Sequence, residues 1–190
     1  LLAIHFSAIE HMAGSAARSR PNRSPLLRSP AMSNEPAMNE TTPLVVIFGM
    51  HRSGTSYVAQ VLNSAGFNLG DDVLRDGESD NLCGHWESQS VIQINDGILD
   101  VSGGSWCKPP SRLLSAVTTG VSIDRFVSWM NRRRPAAFKD PRLTLTFPLW
   151  HERLGQYQLI ACLRHPMAVA RSLQVRQGWP IARGLNLWVD

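Results

Sequence analysis

Residues 49–56 read Gly-Met-His-Arg-Ser-Gly-Thr-Ser, two glycines with four residues between them, followed by two hydroxyls. Five uninterrupted apolar residues, 44–48, precede them, and residues 55–65 follow with apolar side chains at helical spacing (Tyr57, Val58, Val61, Leu62). A buried strand, a glycine-rich turn and a helix, in that order, are the setting in which backbone N–H groups turn toward an anion. The helix N-terminus adds its partial positive charge. The hydroxyls of Ser53, Thr55 and Ser56 can donate to the same oxygens, and His51 and Arg52 bring basic side chains into the turn itself. Position 55 is Thr where nucleoside triphosphatases carry the Lys that reaches the β- and γ-phosphates, so the loop is poorly equipped for γ-phosphoryl transfer. It suits a single phosphate with a further group attached.

A second basic constellation follows the apolar run 157–163. Arg164 ends that run, Pro166 opens a helix at the position Pro favours, and Ser172 lies eight residues beyond Arg164. A guanidinium at the carboxyl end of a strand points into the ligand crevice of an open α/β sheet. Two further groups could do proton and charge chemistry: Gly84-His85-Trp86-Glu87-Ser88 and Lys139-Asp140-Pro141-Arg142. Read without context, Glu87 is also a carboxylate at a helix N-terminus, 139–142 a buried ion-pair group, and Arg164 with Ser172 an ion-pairing residue and a solvated one.

Arg52-Ser53-Gly54-Thr55-Ser56 after an apolar strand resembles the 5′-phosphosulfate loop of the sulfotransferases, which transfer a sulfuryl group from 3′-phosphoadenylyl sulfate (PAPS). The Arg164 and Ser172 pair is similar to that family's 3′-phosphate site, an Arg and a Ser eight positions apart. The resemblance covers about residue 43 to 190 and implies a P-loop α/β/α fold in three layers with a mostly parallel sheet. It implies PAPS as co-substrate, a hydroxyl acceptor (glycan, peptide or small molecule) and no metal. The donor would be held by His51, Arg52, Ser53, Gly54, Thr55, Ser56, Arg164 and Ser172. Glu87 would be the base, with His85 and Asp140 as alternatives, and Arg52 and Lys139 would stabilise charge on the leaving phosphate. The cytosolic members' His at the strand end has no counterpart beside Lys139. The family's basic, Gly-rich closing segment has none either, so a domain incomplete at its C-terminus is expected. Trp86, Trp106 and Trp150 are candidates for an acceptor pocket, although core packing is the plainer reading of each. The other readings are an ATP- and magnesium-dependent kinase on the same fold and a non-catalytic anion-binding module.

The elements needed to position these residues are legible. Apolar runs at 44–48 and 157–163 and a short one at 136–139 predict strands. Periodicity predicts helices over 55–65, 88–101 (Val91, Ile94, Ile98 and Val101 on one side), 123–133, 143–154, 166–177 and from 181 on. Strands alternating with helices imply a parallel sheet. Residues 1–42, rich in Ser, Ala, Asn, Pro and Arg without period, read as a disordered tail. The 190 residues suffice for one domain, and 43% are apolar, which excludes wholesale disorder. Of 19 Lys and Arg residues only Lys108 and Lys139 are Lys, and net charge is +4. The arginines are scattered without interleaved aromatics, which argues for a small anion over nucleic acid. No apolar run is long enough for a membrane span. Cys83, Cys107 and Cys162 match no zinc spacing and fit reduced thiols in the cytoplasm.

Overall fold

The computed structural model describes residues 2–9, 42–75, 84–114 and 116–189. Strands β1 (Leu2–Ile9), β2 (Leu44–Phe48), β3 (Ala136–Lys139) and β4 (Tyr157–Arg164) form one sheet in the order β1-β4-β2-β3. The central strand β2 pairs in parallel with β3 on one side and β4 on the other, and β1 closes the β4 edge antiparallel. The chain is thus an α/β protein with a small, open, three-strand parallel sheet. The helices are α1 (Thr55–Ser64), α2 (Gln89–Val101), α3 (Val117–Asn131), α4 (Leu143–His151), α5 (Pro166–Gln177) and α6 (Ile181–Val189).

The parallel strands feed both faces. Leu44, Val46, Ala136, Phe138 and Tyr157 join a cluster with Val91 and Ile98 of α2, Ile123, Phe126 and Met130 of α3, and Leu143 and Trp150 of α4. Their neighbours Val45, Ile47, Ala137, Ile160 and Cys162 face a second cluster with Val58 and Ala59 of α1. Period-two alternation sends successive apolar side chains to opposite faces, and only a sheet covered on both sides rewards unbroken apolar runs. Two core contacts matter for the site. Asn95 of α2, fully buried, accepts from Trp150 Nε1 and Thr146 Oγ1 of α4, both at 2.8 Å. Gly120 of α3 sits so close to Arg153 that a Cβ there would lie 2.6 Å from its guanidinium.

Several expectations are corrected. Residues 2–9 lie in a strand, paired antiparallel with β4, and not in a tail. The rest of the expected tail, 10–41, lies outside the described residues. Helix α3 begins six residues before the expected start at 123, through Thr118, Thr119 and Gly120, a turn that shows no apolar stripe in the sequence because Val117 and Val121 are exposed. On α2 the buried stripe is Val91, Asn95, Ile98 and Leu99, while Val101 is about half exposed at the last turn. Of the two readings of Trp150 the plainer one holds: it is a core residue, packed edge-on against Phe126. Among the described residues no helix is long and apolar enough to cross a membrane.

Replacing Asn95 by Ala removes the acceptor of the buried Trp150 Nε1. Urea unfolding should report a loss of about 1–3 kcal/mol, the cost of an unpaired buried donor.

Candidate functional site

The turn between β2 and α1 is shaped by two close constraints. Gly49 lies directly against β4, where a Cβ would collide with the Cys162 carbonyl oxygen. Arg52 (φ 70°) and Gly54 (φ 88°) are both left-handed, and the Ser53 N–H donates to the Met50 carbonyl at 3.0 Å. For a side-chain-bearing residue such as Arg52 that conformation is uncommon and signals a backbone held for a purpose. Gly54 caps α1 without any side-chain hydrogen bond. The first-turn N–H groups of Thr55 and Ser56 have no acceptor within a helix that starts there. The Ser53 hydroxyl, 1% exposed, has no hydrogen-bond partner among the described residues. An uncapped helix start, a curled backbone and an orphaned buried hydroxyl together fit a tetrahedral anion. One expectation needs amending: Ser56 Oγ donates to the His85 carbonyl at 2.9 Å, so it ties the turn to the 84–88 segment.

The second basic constellation reaches the same turn. Arg164, the last residue of β4, donates from Nη1 to the Arg52 carbonyl at 2.9 Å. Arg52 Nε donates to Ser172 Oγ on α5 at 2.9 Å. Pro166 opens α5, and the His165 ring nitrogen accepts from the Met167 N–H at its N-terminus. Residues 112 and 120 positions from Arg52 therefore meet it directly.

The third group is a cluster of charge at the carboxyl end of β3. Lys139 is 2% exposed, and its Nζ donates to Glu87 Oε1 at 2.5 Å. The other Glu87 oxygen faces Arg142 Nη1 at 3.7 Å. Asp140, fully buried, accepts from the Arg142 N–H at 2.7 Å and from Arg142 Nη1 at 3.2 Å. Arg142 Nε donates to Asp96 Oδ1 of α2 at 2.6 Å. Glu87 is placed because its backbone carbonyl accepts from Leu74 N–H and because Ser88 caps α2 through Val91 N–H. Burial pushes the Asp140 carboxyl up to about 6 against the pull of Arg142, with Glu87 adding to the rise. Burial lowers the Lys139 ammonium from its ordinary value, and Glu87 opposes that fall. His51 is held well below the usual imidazole range by desolvation and by Arg142, Lys139, Arg176 and Arg52. It is therefore neutral at pH 7 and lies 4.1 Å, centroid to centroid, from the Trp106 ring.

These groups surround one cavity of about 360 Å³, within the range of small-ligand sites. Its walls carry His51, Arg52, Gly54, Thr55, Ser56, His85, Trp86, Glu87, Trp106, Lys139 and Arg164. Ser53 opens instead on an adjoining cavity of about 280 Å³ shared with Trp106, Cys162 and Leu187. Ser172 lies on an outer depression that meets the main cavity at Arg164. Asp140 lies behind Arg142 and not on the wall, which removes it as a base in contact with a ligand. Sequence reasoning missed Arg176, which lines the cavity from the last turn of α5, and Asp96, which holds Arg142. Neither sits in a motif, and only tertiary contact reveals them. No protein-family model, no curated protein and no solved structure matches the chain.

Because Asp140 holds its proton more tightly folded (about 6) than unfolded (3.8), the folded state binds more protons between those values. This group's contribution to stability is present at low pH and is lost as pH rises through that window. Subtracting an Asp140→Asn variant's pH–stability curve from that of the wild type should leave a difference that declines from pH 4 to pH 6. A difference that rises would refute the assignment.

Proposed function

We propose that the chain is a PAPS-dependent sulfotransferase built on a P-loop domain of three α/β/α layers. The observation that carries this reading is the junction at Arg52, where Arg164 and Ser172 converge on the phosphate-type turn. A nucleotide with phosphates at both its 5′ and 3′ positions needs two anion subsites that share one rim, and a triphosphate does not. The Thr at position 55 supports the same choice against γ-phosphoryl transfer.

In this reading PAPS supplies the activated sulfuryl group, and all else falls to the chain. The first-turn amides of α1 and Arg52 hold the 5′-phosphate side, with Ser53 behind the turn on the adjoining cavity. Arg164 and Ser172 hold the 3′-phosphate and so select this nucleotide. Lys139 faces the leaving side with its positive charge kept by Glu87. Glu87 takes the acceptor hydroxyl's proton once it turns from Lys139, and its neutralisation leaves the Lys139 positive charge free to face the negative charge that develops on the leaving phosphate. Cys107 and Cys162 as unpaired thiols support a cytoplasmic setting. A second reading, a non-catalytic anion-binding module, draws on the two ion pairs that hold Glu87.

Calorimetric titration with adenosine 3′,5′-bisphosphate, ADP, and ATP with magnesium tests the reading. The bisphosphate should bind without metal and in preference to ADP. Arg164→Ala should weaken it by about 10–100-fold, the worth of a hydrogen bond to a charged group, and bring it level with ADP. Preference for ATP with magnesium would overturn the reading in favour of a kinase. Glu87→Gln, with a thermal melt to confirm that it folds, should still bind the bisphosphate while abolishing sulfuryl transfer in an acceptor screen. Transfer that survives it would remove Glu87 as base.

A further inference from the structure

The guanidinium of Arg142 is held on three sides by carboxylates from three parts of the chain. Asp140 grips it from the strand end, through the Arg142 N–H at 2.7 Å and Nη1 at 3.2 Å. Glu87 faces Nη1 at 3.7 Å. Asp96, about two turns along α2 from its first residue, accepts from Nε at 2.6 Å. The Arg142 side chain is 13% exposed, whereas the Asp96 side chain is 52% exposed. An ion pair with a half-exposed carboxylate adds little to stability, so energy alone gives a weak reason for this contact. Geometry gives a better one. An arginine side chain has several rotatable bonds, and a bond to Nε fixes the plane of the fork and with it where Nη1 points. The anchor is itself rigid, since the adjacent Asn95 is locked to Thr146 and Trp150 of α4, the helix that Arg142 caps.

We propose that Asp96 is a positioning residue: by holding Arg142 Nε it aims Nη1 at both Asp140 and Glu87, and so keeps the Glu87 carboxylate turned to the cavity beside Lys139. The role of Glu87 as base rests on the sulfotransferase reading, but the aiming of Arg142 does not. The charged and titratable groups facing Arg142 are Glu87, Lys139, Asp140, Asp96 and His51.

Two mechanisms for an Asp96 effect predict opposite signs. If Asp96 acted only as a nearby negative charge, Asp96→Asn would lower the Asp140 carboxyl from about 6. If Asp96 aims Arg142, the same change frees the guanidinium, and Asp140 loses its main cationic neighbour and titrates higher. The experiment is a ¹³C NMR titration of aspartate-labelled full chain, the Asp140 signal identified by its loss in Asp140→Asn. Asp96→Asn should raise Asp140 by about one unit, and Asp96→Glu should return it most of the way. A fall, or no change, overturns the proposal. Thermal melts accompany each variant, and Asp96→Glu carries the test if Asp96→Asn unfolds: a side chain one carbon longer should move Asp140 upward by a smaller amount, and no movement overturns the proposal. Adenosine 3′,5′-bisphosphate is titrated in parallel. Failure of the wild type to bind it defeats the sulfotransferase reading, while the direction of the Asp140 shift still decides the role of Asp96.

Discussion

An ammonium group removed from water must find a carboxylate, and Lys139 is almost wholly removed. It ends the short strand β3, where no backbone acceptor can neutralise it. Much of the site's architecture answers that requirement. Glu87 has to arrive from another segment, which fixes 84–88 against Leu74 and starts α2 at Ser88. Asp140, buried in its turn, requires Arg142, and Arg142 recruits Asp96. Removing one member of such a network leaves an uncompensated charge in the interior, which costs far more than the intact network contributes. The cluster thus specifies how α2 and α4 meet the sheet edge while adding little net stability.

The turn after β2 obeys a different constraint, one of space. Gly49 must pass the Cys162 carbonyl, and Arg52 must adopt a left-handed backbone while its carbonyl and its guanidinium reach different partners. The turn is therefore held from β4 and α5 and not from α1 alone. A loop so restrained has little freedom left to lose on binding any ligand.

What could be read from the sequence was local or periodic. The unbroken apolar run at 44–48 announced a strand covered on both faces, the mainly apolar stretch 157–163 announced a second strand, and Pro166 marked the start of α5 to the residue. The turn 49–56 was legible because its glycines, hydroxyls and flanking elements lie together in the chain. Strand β1 was not, because His5 and Ser7 look like interruptions until a partner strand supplies the alternation. Asp96 and Arg176 were invisible for a related reason: each is an ordinary helix residue whose meaning comes from a neighbour tens of positions away. Trp150 kept two readings in the sequence because an indole in the core and an indole on a cavity wall look alike in one dimension, and Asn95, which holds it in the core, carries no signal of its own.

Strand β1 pairs along the full length of β4, with Leu2 opposite Arg164 and Ile9 opposite Tyr157. Between 148 and 162 positions separate those partners, a wide loop to close before any reward is collected. The parallel core of β2, β3 and β4 needs shorter closures and can assemble ahead of it. Arg164 thus has two neighbours of very different origin: the turn at Arg52 on one side and Leu2 of β1 on the other. The sheet joins the two most distant strands of the described chain, and the later of them carries Arg164 to the cavity.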